Sequence, residues 1–224
     1  MRLRGLRPQG GRERLKRNRF TMPDSFVHRD NPMTPFQAVA LEHASRLINH
    51  GPTVLVTSLD GERRNIMAAA WSMPVEFKPP RIAVVIDKNT FTRELVIASG
   101  VFGICIPGAG AIDVTYAVGS SSGRDTDKFA EFGITPVTGP VLGLPLIETN
   151  CAAWLECKLI REPHTEDAYD TCFGEVVSAA ADSRVFNNGH WVFDASNESL
   201  HTLHHLGAGN FARASNVLRA RPLP

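Results

Sequence analysis

The stretch Asn65-Ile-Met-Ala-Ala-Ala-Trp-Ser-Met-Pro-Val-Glu-Phe-Lys-Pro-Pro-Arg81 decides how this chain is read. Ile66 to Ala70 are mostly small or unbranched, so a flat ligand can approach the backbone closely. Trp71 adds an aromatic wall, and Pro79-Pro80 ends the run before a new apolar strand, Ile82-Ala-Val-Val-Ile86. That strand feeds into Asp87-Lys-Asn-Thr-Phe-Thr92, a loop that offers a cation, an amide and hydroxyl groups. A surface for a planar ring beside a phosphate-binding loop is what a flavin or pyridoxal-type cofactor requires.

Working upstream, Thr53-Val-Leu-Val-Thr-Ser-Leu59 is β-branched, and Asp60-Gly61 signals a hairpin into a strand over Arg63–Trp71. Thr34-Pro35 has the chemistry of a helix start, a hydroxyl N-cap followed by Pro. Leu41, Ala44, Leu47 and Ile48 share one face, which predicts a helix from Phe36 to about Asn49, stopped by Gly51-Pro52.

Downstream, the pattern predicts a short helix over Phe91–Ser99 closed by Gly100, then a buried strand over Val101–Ile106. A helix over Gly108–Tyr116 is followed by a polar loop, Gly119–Asp127, and a helical turn, Asp127–Phe132, ended by Gly133. The Pro/Gly-rich segment Thr135–Pro145 reads as irregular. Two long strands, Ala152–Arg161 and Cys172–Ala181, flank the acidic segment Glu162–Asp170, which is too long for a tight turn. Leu200–Phe211 is a terminal element, and Ala212–Pro224 a tail. About six strands with short inserted helices predict a mainly β fold, a barrel with peripheral helices. Strict βαβ alternation is absent, which disfavours a doubly wound nucleotide fold. No GxGxxG follows a strand.

The 224 residues suffice for one domain with a real core and no disulfide or metal staples. No apolar run reaches membrane-spanning length. The net charge of +1 hides an asymmetry, because residues 1–30 hold nine Lys/Arg against three Asp/Glu, leaving fifteen against twenty elsewhere. The first twenty residues contain no block resembling a secretory signal. A tail for nucleic acid or an anionic surface is one reading. The favoured one is a disordered extension over residues 1–33, with Met22 or Met33 as alternative starts, since so basic a segment buries too little surface to order itself. Cys105, Cys151, Cys157 and Cys172 show no CxxC spacing and read as buried thiols of a reducing, cytoplasmic protein.

Two segments have anion-binding chemistry. Thr90 and Thr92 bracket a helix start preceded by Lys88, where backbone N–H groups, hydroxyls and an ammonium converge; an ordinary N-cap explains the same residues. In Ser120-Ser-Ser-Gly-Arg-Asp-Thr-Asp-Lys-Phe129, Arg124 suits bidentate phosphate binding and Lys128 a point charge; a solvated loop is the competing reading. Gly119-Ser-Ser-Ser-Gly123 formally fits the serine-hydrolase elbow, but Asp113–Val118 makes a poor preceding strand. His201 and His205 share a face if the segment is helical, yet no carboxylate or Cys sits at a supporting spacing for a metal. Cys151 and Cys157 lie six apart on a strand and read as buried packing rather than a redox pair.

Taken in order, NIMAAAWSMPVEFKPPR, DKNTFTRELVIASGVFGICIP, SGRDTDKFAEFGI, CAAWLECKLI and GEVVSA resemble the flavin reductase-like FMN-binding split-barrel proteins. Leu200–Phe211 resembles the closing element of that family, and the likeness spans roughly residues 36–211, within a domain placed over 34–211. The resemblance implies a six-stranded split barrel, a homodimer, and FMN at or near the subunit interface. By position it implies that Ile66, Met67, Ala68, Ala69, Ala70 and Trp71 edge the isoalloxazine. Lys88, Asn89, Thr90 and Thr92 would hold ribityl and phosphate oxygens, and Ser121, Gly123, Arg124 and Lys128 would complete the phosphate site. Two positions depart from the family. A Gly-Asp-His motif on the nicotinamide side is replaced by Asn187-Asn-Gly-His190, and the frequent terminal Tyr is Phe211.

The expected function is therefore an oxidoreductase in which NAD(P)H reduces FMN by hydride transfer, supplying a monooxygenase or another acceptor. No catalytic side chain is required, because hydride transfer depends on stacking and distance. Backbone donors near Ala68–Ala70 would stabilise negative charge on the ring, and His190 and His205 are candidates to line the nicotinamide side. A flavoredoxin-like electron carrier is the alternative, and a pyridoxamine-phosphate oxidase-like enzyme shares the barrel plan. Neither nucleic acid nor a membrane is expected as a partner.

Overall fold

The computed structural model describes residues 34–223, so the expectations for the basic N-terminal extension lie outside the described residues. The described residues form fourteen strands and five α-helices. The first half carries β1 Phe36–Ala38, α1 Leu41–Ala44, β2 Val54–Asp60, β3 Arg63–Ala69, β4 Ser72–Phe77, β5 Pro80–Val85, α2 Phe91–Ser99 and β6 Val101–Pro107. Then come α3 Ile112–Ser120, α4 Lys128–Glu131, β7 Val137–Thr138, β8 Pro145–Leu146, β9 Cys151–Ile160, α5 Pro163–Tyr169 and β10 Thr171–Asp182. Two hairpins close the chain, β11 Phe186–Asn187 with β12 His190–Trp191, and β13 Leu203–Gly207 with β14 Asn210–Arg213.

The main sheet runs β3-β2-β6-β9-β10-β5-β4, antiparallel throughout, with β1 added on β10. Among the described residues its two end strands, β3 and β4, do not pair with each other, so the sheet does not close. Strand β10 makes the bend. Its first residues, Thr171 to Glu175, pair with β5, and its last three, Ala180 to Asp182, pair with β1. A bulge between Val176 and Ser178 separates the two pairings, and such a bulge sharpens local twist.

Both faces of the central strands are covered. Val54, Val56, Ile104, Ile106, Leu155, Cys157 and Val176 point into one core, together with Phe102. Leu55, Ile66, Cys105 and Trp154 point into a second core, completed by Val118 of α3, Phe129 of α4 and Leu144 and Leu146 of the following segment. Double coverage explains why Val101–Ile106 reads as one continuous apolar run rather than an alternation.

Several expectations need correction. Phe36 does not begin a long helix: residues 36–38 form a strand on β10, and only the short α1 and a 3-10 turn, Ser45–Leu47, follow. Local N-cap chemistry at Thr34-Pro35 was outweighed by a non-local ladder with residues 180–182. The strand expected over Arg63–Trp71 is β3, which ends at Ala69; an unexpected strand, β4, follows, and the strand expected over Ile82–Ile86 is β5, which begins at Pro80. Glu162–Asp170 contains α5, with Pro163 at its first position and Asp170 in the left-handed region closing it. The Thr135–Pro145 segment holds a two-residue ladder, β7 with β8. The expected α2 stands, with the Thr90 hydroxyl accepting from the Arg93 N–H and Gly100 in the left-handed region as its C-cap.

Candidate functional site

The three segments singled out in the sequence meet at β3. Asn65, buried on that strand, donates from Nδ2 to the buried Thr92 Oγ1 of α2 at 2.8 Å. The other end of the same amide faces the polar loop, since a Cβ built on Gly123 would fall 2.0 Å from Asn65 Oδ1 and 2.5 Å from its Cγ. Among the described residues, the buried Asn65 Oδ1 has no hydrogen-bond partner. One residue further along the same strand, Lys128 donates to the carbonyl of Ile66 at 3.1 Å, and also to that of Val118 at 2.7 Å. Its ammonium is buried, and desolvation pushes its pKa below the ordinary lysine value. Lys128 thus ties α4 and α3 to β3, where the sequence suggested a point charge for a phosphate.

Two concavities flank β3. The first, about 360 Å³, is lined by Arg63, Arg64, Phe91, Gly123, Arg124 and Thr126 together with acidic side chains. Arg124 pairs with Glu94 at 2.7 Å and lies over the Phe91 ring at 5.4 Å, while Arg64 pairs with Asp127 at 2.7 Å. Beside this concavity, the guanidinium of Arg124, and then that of Arg63, hold the Glu94 carboxyl below its ordinary pKa. The second concavity, about 310 Å³, is lined by Ala68, Ala69 and Ala70, by Tyr116 and Ser120 of α3, and by His205 and Phe211 of the C-terminal hairpin. From Arg64 to Ala69 is five residues, roughly 17 Å along an extended strand, so a ligand touching both concavities must be elongated.

The other predicted residues fall less tightly. Lys88 donates from Nζ to the Asp167 carbonyl, Asn89 bonds to Asp87, and Thr90 is occupied as a cap. Ser121 donates to the Ala117 carbonyl at the end of α3. Trp71 projects outward and is 74% exposed, and Met67 is half-buried against the main core. His205 joins the alanine-floored concavity, whereas His190 does not line it and bonds to the Asn188 carbonyl at 2.7 Å.

The model of the flavin reductase like domain matches residues 46–198, more than half of the chain. The chain belongs to the flavin reductase-like family. It is 60% identical over 190 residues to the protein YddH of Escherichia coli (strain K12), covering 84% of this chain and 100% of that one. Among solved structures, it is similar to an FMN-binding domain of a flavin reductases-like enzyme from Shewanella baltica OS155, with 41% identity and a TM-score of 0.80. That likeness covers 83% of this chain and 97% of the other. It is also similar to flavoredoxin of Desulfovibrio vulgaris (Miyazaki F), with 27% identity, a TM-score of 0.65, and coverage of 76% and 90%. The unclosed sheet of this flavin reductase-like chain is the split barrel.

Arg63, Arg64 and Tyr116, which line the two concavities, were not among the sequence candidates, and Asn65 was quoted only as the start of the deciding stretch. A lone amide inside a strand was the available signal for Asn65. Other candidates take structural roles in the flavin reductase-like fold. Gly119 and Ser120 end α3 rather than following a strand, so Gly119–Gly123 lacks the strand-to-helix elbow of a hydrolase. His201 and His205 do not share a helical face, because the segment is extended beyond the 3-10 turn Glu198–Leu200. His201 Nε2 instead contacts Asn197 Oδ1 at 2.8 Å. Cys151 and Cys157 pack into different cores, separated by the irregular register near Pro107, and burial raises both thiol pKa values.

The C-terminal hairpin is docked through His50, whose Nε2 lies 2.9 Å from Thr202 Oγ1, with Trp191 and His204 against the ring. Desolvation, and then His204, lower the His50 pKa from 6.5 to about 4. A base with a depressed folded pKa leaves the unfolded chain binding more protons between those values. Stability from neutral His50 is therefore complete above pH 6.5 and lost as pH falls toward 4. The expected loss is about 2–3 kcal/mol, read by urea unfolding at several pH values. A His50→Gln chain should show a shallower decline, and an equally steep one would contradict the assignment.

Proposed function

We propose that this chain is an FMN-binding oxidoreductase that passes reducing equivalents from NAD(P)H to the flavin and on to an acceptor. The observation that carries this reading is the arrangement along β3: a small-residue floor at Ala68–Ala70 at one end, arginines at the other, and an unpartnered buried amide oxygen between. The residues fit the cofactor, because a planar ring needs close backbone approach and a phosphate needs guanidinium donors. Ala68, Ala69 and Ala70 would face the ring, Asn65 and Thr92 the ribityl chain, and Gly123, Arg124 and Arg63 the phosphate. When bound, FMN would supply hydride-accepting chemistry.

The chain's own part is positioning. Tyr116, His205 and Phe211 wall the alanine-floored concavity and would hold a nicotinamide or acceptor against it while excluding water. Lys128 fixes the backbone at Ile66 rather than touching a ligand phosphate. Homodimerisation has support from the end strand β4 and the residue before it, which expose Trp71 and Phe77 (each 74%) and Met73 (58%). An acceptor such as a monooxygenase is part of the proposal. The alternative is a flavoredoxin-like electron carrier, favoured by Asn187–His190 standing where a nicotinamide-side Gly-Asp-His motif is expected and by the similarity to flavoredoxin.

Steady-state oxidation of NADH and NADPH with added FMN separates the two. The reductase reading expects sustained turnover with at least one nicotinamide by a dimer in sedimentation. Retained flavin with negligible turnover on both would overturn it in favour of the carrier, and a single-chain mass would remove the dimer.

A further inference from the structure

Glu94 occupies an unusual position beside the arginine-lined concavity. Its Oε1 accepts from Arg63 Nη1 at 2.8 Å and its Oε2 from Arg124 Nη1 at 2.7 Å, so one carboxylate joins the start of β3 to the Gly123 loop. Both guanidinium groups lie over the Phe91 ring, at 6.0 Å and 5.4 Å. The remaining partners each hold one arginine: Asp60 pairs with Arg63 across the β2–β3 hairpin at 2.6 Å, and Asp127, at the start of α4, pairs with Arg64 at 2.7 Å. Only Glu94, among these carboxylates, spans the two arginines. Two acceptor oxygens between two guanidinium groups form the arrangement that a phosphate would make with the same pair.

We propose that Glu94 is an internal stand-in for a ligand phosphate, and that it sets how strongly the chain prefers a phosphomonoester flavin over the unphosphorylated one. This rests on the flavin reading above. Because Arg63 and Arg124 are already paired, an incoming phosphate exchanges for the carboxylate instead of adding new ion pairs. The phosphate then contributes little net affinity, and binding depends weakly on salt. Removing the charge at residue 94 frees the Arg124 guanidinium and the Nη1 end of Arg63, whose Nη2 stays with Asp60, so affinity rises and its salt dependence steepens.

FMN and riboflavin, titrated by flavin fluorescence against wild type and Glu94→Gln, test this directly. FMN should bind the variant roughly three- to tenfold more tightly at low salt, the scale of one or two exposed ion pairs. Riboflavin affinity should not change, and the FMN gain should vanish at high salt. Adding Arg124→Ala to the variant should erase the gain. An FMN affinity that is unchanged or weaker in Glu94→Gln overturns the proposal, as do parallel changes for both flavins or a gain that survives Arg124→Ala. Wild type that binds neither flavin overturns the flavin reading and this inference together, whereas wild-type binding without the Glu94 effect overturns this inference alone.

Discussion

Phe102→Ala is expected to lower the unfolding free energy by ~3–5 kcal/mol, the usual cost of deleting a fully buried aromatic ring. Phe102 on β6 is 0% exposed and belongs to the main core. Its ring fills the space that the missing side chain of Gly174 leaves open. A Cβ at Gly174 would lie 2.5 Å from Phe102 Cζ and 3.0 Å from Cys157 Cβ. The strands around that space, β6, β9 and β10, are fixed to one another by consecutive ladders, so the wall cannot collapse to refill the cavity. Urea unfolding monitored by circular dichroism measures the loss. A drop below about 1.5 kcal/mol, the range of volume-conserving swaps, would show that the ring does not pack as described.

Gly123→Val is expected to weaken FMN binding roughly 10- to 100-fold, as overpacking of 1–3 kcal/mol falls on the loop. Any side chain at this position meets Asn65, at 2.0 Å from Oδ1 and 2.5 Å from Cγ. Asn65 cannot move aside freely, since it is buried and its amide nitrogen is held by Thr92. Either that hydrogen bond breaks or the loop lifts, and both disturb the Asn65–Thr92 pair that would face the ribityl chain. Global stability should change far less than affinity, because the loop crosses the surface between α3 and α4 and contributes no residue from 120 to 127 to either main core. Binding equal to wild type would mean that the loop does not seat the ligand.

How much of this was readable depended on whether the deciding contact is local. The Asp60-Gly61 hairpin, the Thr90 cap and the Gly100 stop are set by residues within a few positions, and each appears where its chemistry predicts. The strand at Phe36 was not legible, because the partner that claims it lies near residue 181. β4 was legible in principle: Met73, Val75 and Phe77 alternate with Ser72, Pro74 and Glu76, but Pro74 and the solvent-facing apolar side chains obscured it. The likeness of segment order to the flavin reductase-like family carried the fold across such gaps. Within the site, the meeting of Asn65–Ala70, Thr92 and Gly123 followed from the segments chosen. Lys128 was read as a point charge for a phosphate because nothing local shows the two backbone carbonyls, from different elements, that take its ammonium in the folded chain. Arg63, Arg64 and Glu94 were missed because alternation along a hairpin and a helix reads as ordinary solvated surface until the loop is folded over it.

The central claim, a flavin seated along β3, is tested most directly by titrating the purified chain with FMN and following flavin fluorescence and absorbance. Saturable quenching with a perturbed flavin spectrum, at one FMN per chain, is the predicted result. A well-folded chain that leaves the FMN spectrum and emission unchanged at every concentration would contradict it.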